Sequence, residues 1–107
     1  MKRGDIAVAL MKGDYGKPRP VLIVQADSYV EHTSVTVAMI STSHAPLQDI
    51  RLAVEPSVQN GLREPSHVLV DRVQTVPLDR IRDVIGELTT EQMARVDRAL
   101  ALFLGLA

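Results

Sequence analysis

The sequence predicts a mainly β fold of the α+β class: a small, strongly bent sheet or barrel followed by one terminal helix. Three observations carry this. Short apolar runs, β-branched or alternating, recur between residues 6 and 85, each bounded by Gly, Pro or polar turn residues. One pattern of helical period occurs, and it lies at the C-terminal end. The apolar fraction is 46%, yet the only aromatics are Tyr15, Tyr29 and Phe103, so the core must be aliphatic. A length of 107 residues suits one domain, 1–107. A chain of this size buries roughly two-thirds of its unfolded surface, enough for one core.

In chain order, Ile6 to Leu10 reads as a short strand. Met11 to Arg19, with two Gly, one Pro and three Lys/Arg, reads as a loop. Pro20 to Gln25 contains the β-branched run Val21-Leu22-Ile23-Val24 of a buried strand. Polar residues follow to Thr33. Ser34 to Ile40 alternates Val35, Val37 and Met39 with Thr36, Ala38 and Ile40, a strand covered on both faces at its far end. Ser41 to Pro46 is a polar loop, and Arg51 to Glu55 a short strand with Leu52 and Val54 inward. Asn60-Gly61 marks a turn within Pro56 to Pro65. His67 to Val76 is a longer, bent strand, Pro77 to Arg80 a turn, and Ile81 to Ile85 a last extended piece. The helix starts near Thr90. Thr89 and Gln92 have the spacing of a capping box, and Leu88 and Met93 that of a hydrophobic staple. Met93, Val96, Leu100, Phe103 and Leu104 recur on one face, Arg95 and Arg98 lie on the other, and Gly105 stops the helix. Residues 99–104 are apolar nearly all round, more than one small barrel should cover, which predicts a homodimer.

Composition excludes several function classes. Without cysteine there is neither a disulfide framework nor a thiolate metal site, which fits a reducing compartment. His32, His44 and His67 lack the spacing of a metal site, and no phosphate-binding glycine motif is present. The first five residues lack the apolar run of a signal peptide, and the longest uncharged apolar stretch, Ala99 to Ala107, is too short to span a bilayer. A cytoplasmic protein without membrane attachment is expected. The net charge is only −1, but residues 1–20 hold Lys2, Arg3, Lys12, Lys17 and Arg19 against Asp5 and Asp14, a net +3. A locally basic segment on a neutral protein permits a focused phosphate site, although the charge alone fits a solvated basic loop equally well.

Three groups of residues can carry chemistry. In Lys17-Pro18-Arg19-Pro20 both cations precede prolines, so their backbones are held extended. A guanidinium on such a stiffened segment loses little entropy when it grips an oxyanion. Taken alone, the quartet also fits a stiff strand start with a solvated Arg. Ser41-Thr42-Ser43-His44 sets three hydroxyls and an imidazole directly after a core strand. Hydroxyls bind phosphate oxygens, and a His moves protons near neutral pH; a plain polar turn is the alternative. Asp71 ends the apolar run Val68-Leu69-Val70 and precedes Arg72, Gln74 and Thr75. It could orient an Arg, accept a proton, or form an edge-strand ion pair.

These pieces resemble the MazF/PemK toxin family. Lys2-Arg3-Gly4-Asp5-Ile6 followed by Gly16-Lys17-Pro18-Arg19-Pro20-Val21-Leu22-Ile23-Val24-Gln25 is similar to its "RGDI" strand, loop and "RPVLVIQ" strand. Val37 to Ser43 resembles its strand ending in Thr or Ser, and Val70 to Val76 its "DQIRTID"-like strand. The resemblance implies an SH3-like antiparallel barrel with a C-terminal helix, shared with CcdB-like toxins, paired as a homodimer. It implies sequence-specific, metal-independent and cofactor-free cleavage of single-stranded RNA through 2′-OH attack, and neutralisation by a cognate antitoxin. The basic loop of residues 11–19 suits an antitoxin with a disordered acidic and apolar tail that covers it. The family's catalytic Arg and its Thr or Ser map onto Arg19 and onto Ser41 or Thr42. His44 is added as a proton carrier from its nearness in sequence. Lys12, Lys17, Ser43, Asp71, Arg72 and Gln74 are the expected RNA contacts. Arg72 stands where the family usually has Gln, and Gln74 where it usually has Arg before Thr. Two other readings share this architecture. One is a CcdB-like inhibitor of DNA gyrase, disfavoured because this chain lacks that class's Trp-Gly-Ile tail and has no Trp at all. The other is a non-catalytic binding module.

Overall fold

The apolar runs form six strands: β1 (Asp5–Leu10), β2 (Pro18–Ile23), β3 (Ser34–Ser41), β4 (Arg51–Val54), β5 (Ser66–Pro77) and β6 (Ile81–Glu87). One helix follows, α1 (Thr90–Phe103). The structure is a computed structural model, and it describes residues 1–11, 16–29, 33–43 and 49–107. The strands make one sheet in the order β4-β5-β3-β2-β1-β6, with every neighbouring pair antiparallel.

The central strands are apolar on both faces. Ile6, Leu22, Ala38 and Ile40 point to one side and join Val54, Val68, Val70, Val96 and Ala99 in one core. Ala7, Ala9, Val21, Ile23, Val35 and Val37 point to the other and meet Met11 and Val76 in a second. Helix α1 packs against β5 and β4 and covers the first side. With one α-helix among the described residues, the second side is covered by the sheet bending over itself, and the far end of β5 and the start of β6 supply that cover through Val76, Leu78 and Ile81.

Bulges make the bend. Across β3 and β5, Ala38 faces Val73 but Met39 faces Leu69, so Val70, Asp71 and Arg72 are extra residues on β5. Such an insertion kinks its strand and raises the local twist. Two smaller register shifts do the same between β1 and β6. The bent sheet is as expected, but it does not close into a barrel: β4 and β6 end the array without pairing to each other. Four-residue β4 pairs with the first part of β5.

The chain after β4 fills that gap. The Gln59 carbonyl accepts a hydrogen bond from the Glu87 amide at 3.0 Å. The loop sits so close to β6 that a Cβ on Gly86 would lie 2.3 Å from the Asn60 carbonyl carbon, and one on Gly61 2.2 Å from the Ile85 oxygen. Only glycine permits that approach. Asn60, 2% exposed, organises the loop: its Oδ1 accepts from the Ser57 and Leu62 amides at 3.0 and 2.9 Å, and its Nδ2 donates to the Glu55 carbonyl at 2.8 Å.

The helix begins with the expected capping box: the Gln92 amide donates to Thr89 Oγ1 at 3.1 Å and the Thr89 amide to Gln92 Oε1 at 2.9 Å. It ends with bonds from the Leu106 and Gly105 amides to the Ala101 and Leu102 carbonyls. Its inward face differs from the expected one at the C-terminal end. Val96 and Ala99 are buried, with Met93 and Leu100 against them, but Phe103 and Leu104 remain 47% and 61% exposed because the last turn runs past the core. No helix among the described residues is long and apolar enough to cross a membrane.

Asn60→Ala should therefore loosen the plug between the two sheet edges. Two amides and one carbonyl would lose their partner, which predicts about 3 kcal/mol of destabilisation, read as a lower urea midpoint in equilibrium unfolding.

Candidate active site

Strand β2 starts two residues earlier than its apolar run, at Pro18, so Arg19 lies in a strand opposite Ala9 of β1 rather than in a loop. A strand with two prolines is tolerated here because β3 pairs with β2 only from Val21 onward, leaving one side of Pro18–Pro20 without a ladder to break. Val21 faces Met39, and the same register carried two residues outward sets Arg19 across from Ser41, the last residue of β3. Arg19 is exposed, at the rim of the sheet.

Thr42 and Ser43 follow at once. The Ser43 amide donates to Ser41 Oγ at 3.1 Å, a local bond that turns the chain and leaves the Ser41 hydroxyl proton available to another acceptor. Across β3, the inserted residues of β5 bring Arg72 to the same place. Arg19, Ser41, Thr42, Ser43, Leu69 and Arg72 line one cavity of about 310 Å³. Arg19 and Thr42 also border a second cavity of about 520 Å³, whose walls include Val8, Pro20, Leu62 and Ile85 together with Arg63, Glu64 and Ser66. The two form a groove with Arg19 and Thr42 at the junction: guanidinium and hydroxyl groups on one arm, largely apolar walls on the other.

Asp71 is adjacent but otherwise engaged. Arg51, at the start of β4, donates from Nε to Asp71 Oδ1 at 3.0 Å and from Nη2 to Oδ2 at 2.6 Å. This two-pronged bond to a sheltered guanidinium holds the Asp71 carboxyl below the usual carboxylate range, against the opposite pull of burial, and the nearby Arg72 charge adds to it. An acid so stabilised as its anion is a poor proton acceptor.

Other expected site residues lie apart. Lys17 is exposed and lines neither cavity, and the same is true of Gln74, which faces Val37 beyond the inserted residues. Lys12 and His44 lie outside the described residues. Among the described residues no group of three His, Asp or Glu converges as metal ligands do. Sequence reasoning missed Arg51 and Arg63. The first could have been suspected from an Arg opening a strand whose neighbour carries an Asp; the second stands two residues after the Asn-Gly turn, with no local pattern to single it out.

The Arg51–Asp71 pair should stabilise the fold in a pH-dependent way. The carboxyl's folded-state pKa is depressed, so the contribution is fully present above its unfolded pKa, near pH 4, and is lost as pH falls through the folded value. The gap in unfolding free energy between parent and Asp71→Asn should be constant from about pH 8 to 5 and shrink below about pH 4, as measured by urea titrations across that range.

Comparison with known proteins bears out the family resemblance. The family model for the PemK-like, MazF-like toxin of type II toxin–antitoxin systems matches residues 2–104. A probable endoribonuclease MazF from Mycolicibacterium smegmatis is 44% identical over 108 aligned positions, covering 100% of this chain and 99% of that protein. A solved endoribonuclease in complex with its cognate antitoxin, from a mycobacterial species, superposes with a TM-score of 0.83 at 28% identity, covering 100% and 97% of the two chains. The Mycobacterium tuberculosis toxin MazF-mt6 gives 0.82 at 33% identity, covering 96% and 98%.

Proposed function

The chain belongs to the PemK-like, MazF-like family of toxins of type II toxin–antitoxin systems, and from that premise we propose that it cuts single-stranded RNA, without a metal ion or cofactor, in the groove centred on Arg19 and Thr42. The observation that carries this reading is the convergence of Arg19, Ser41, Thr42 and Arg72, from three strands, on one cavity. A relative of near-equal length, 44% identical, bears the name of a probable endoribonuclease, which supports the cleavage reading over inhibition of gyrase or binding alone.

The ribose 2′-OH attacks the adjacent phosphorus, and the 5′-oxygen of the next nucleotide leaves. The products are a 2′,3′-cyclic phosphate and a 5′-hydroxyl. Charge grows on the non-bridging phosphate oxygens as the fifth bond forms, and the fixed fork of Arg19 meets it at the rim of the sheet. Thr42 and Ser41 donate hydrogen bonds to the same phosphate, and Ser43 and Arg72 hold the strand beyond it. The apolar arm beside Leu62 and Ile85 takes a neighbouring base. One proton must leave the 2′-OH and one must reach the departing 5′-oxygen. A hydroxyl is too weak a base and Asp71 is committed to Arg51, so His44, two residues past Thr42, is the proton carrier in this reading.

The groove is cationic with an apolar arm, the chemistry that a disordered acidic and apolar tail recognises. A cognate antitoxin of that kind, covering the groove in the cytoplasm, completes the proposal; a solved relative is an endoribonuclease in complex with its cognate antitoxin. Pairing of two copies is supported by Leu102, Phe103, Leu104 and Leu106, all exposed at the end of α1. Light scattering at micromolar concentration should give twice the chain mass, and Phe103→Asp should lower it to that of a single chain; a monomeric parent sinks the pairing.

Arg19→Ala should cut RNA about a hundredfold more slowly or worse, and Arg19→Lys should recover little of the loss. Folding should be retained, since the side chain is exposed at a strand end. Parental cleavage should survive EDTA and leave 2′,3′-cyclic ends, read by end-group analysis of the fragments. A folded Arg19→Ala protein that cuts at the parental rate would move the site elsewhere.

A further inference from the structure

We propose that Arg51 is a positioning residue for RNA binding: by occupying both oxygens of Asp71 it keeps that carboxylate off Arg72 and leaves Arg72 as a second cation beside Arg19. This rests on the groove being the RNA site.

Asp71 and Arg72 are consecutive residues in the three-residue insertion that β5 makes opposite β3. Arg72 is exposed and lines the cavity with Arg19, Ser41 and Thr42. Among the described residues it makes no hydrogen bond or ion pair of its own. Asp71 precedes it directly in the chain, and the Arg72 charge acts on that carboxyl. A carboxylate beside a surface cation competes with phosphate for it, and a guanidinium already paired with a carboxylate has little left to offer RNA. Arg51 settles the competition by geometry. Its planar fork matches both carboxylate oxygens at once, at 3.0 and 2.6 Å, in a spot where the two side chains are only 16% and 14% exposed. Two parallel bonds, partly shielded from water, outweigh a single exposed contact to Arg72. Arg51, Asp71 and Arg72 together carry one net positive charge; without Arg51 the same patch is neutral.

The start of β4 also fixes where that charge sits. The Val70 amide donates to the Ile50 carbonyl at 3.0 Å, so Ile50 and Arg51 hold two consecutive residues of the insertion from the same side. Arg72 is the next residue. Arg51 itself lines neither arm of the groove, so its influence on RNA passes through Asp71 and Arg72.

A double-mutant cycle tests this, read as equilibrium binding of a mixed-sequence 2′-fluoro single strand, which lacks the attacking hydroxyl. Arg72→Ala should weaken binding about tenfold and reduce the slope of log affinity against log salt by about 0.7, the loss of one phosphate contact. Arg51→Ala should do the same, because Asp71 turns to Arg72. Arg51→Ala combined with Asp71→Ala should restore affinity to within about twofold of the parent and recover the slope, which no purely structural role for Arg51 would do. If the double variant stays as weak as Arg51→Ala, the proposal is overturned. Should Arg51→Ala alone fail to fold, Asp71→Ala and the double variant still decide: equal affinities support the proposal, and a weaker double variant means that Arg51 touches RNA itself, which overturns it. If the parent binds no RNA, or Arg72→Ala binds like the parent, the reading of the groove falls and this inference with it.

Discussion

Two-sided burial of β1, β2 and β3 is the constraint from which the rest of this structure follows. Strands with Ile6, Leu22 and Ala38 on one face and Ala7, Val21 and Val37 on the other cannot leave either face to water. The one α-helix among the described residues roofs only one of them. The second roof has to come from the sheet itself, so the longest strand must bend, and a strand bends most readily where extra residues break its register. The insertion at Val70–Arg72 and the shifts along β6 are the outcome. The open seam left between β4 and β6 is then stopped by a loop that a buried Asn60 holds in shape and that two glycines allow to approach.

The candidate site is a by-product of those same devices. The insertion that lets β5 turn lifts Asp71 and Arg72 out of the ladder toward the rim. The loop that plugs the seam supplies Leu62 and Arg63 to the wider arm of the groove. The two prolines that stiffen Arg19 sit where β2 has lost one neighbour, which is also where the rim opens. Structural need and the opening of the groove thus meet at one edge of the sheet. The hydroxyls of Ser41 and Thr42 sit at the end of a core strand, which suits the phosphate contact proposed for them.

Charge at this edge is arranged by pairing more than by number. The chain as a whole is nearly neutral. Locally, Arg51 balances Asp71 while Arg19 and Arg72 line the groove. Lys2 is tied to Asp5 and Glu87, and Arg3 to Asp97, on the far side of the N-terminal strand. Cations that stand close together in the first residues are therefore divided: those before β1 hold the terminus to the sheet and helix, and Arg19 lines the groove. A count of basic residues in the first twenty positions merges these two roles.

Much was legible in the sequence because it is encoded locally. The six strands, the capped helix and the aliphatic core follow from spacing, turn residues and a capping box that involve near neighbours only. The motif around Arg19 and the hydroxyls after β3 were legible as well, through a resemblance that spans nearly the whole chain. What only the tertiary structure decided involves partners far apart in sequence. Asp71 takes its partner from Arg51, on a neighbouring strand, and no pattern within a window reveals that both its oxygens are committed. Whether the sheet closes depends on where its two end strands, β4 and β6, come to lie, and Phe103 and Leu104 look like core until the helix is seen to outrun it. Periodicity tells which residues share a face; what that face meets is set by the register and bend of strands brought together from across the chain.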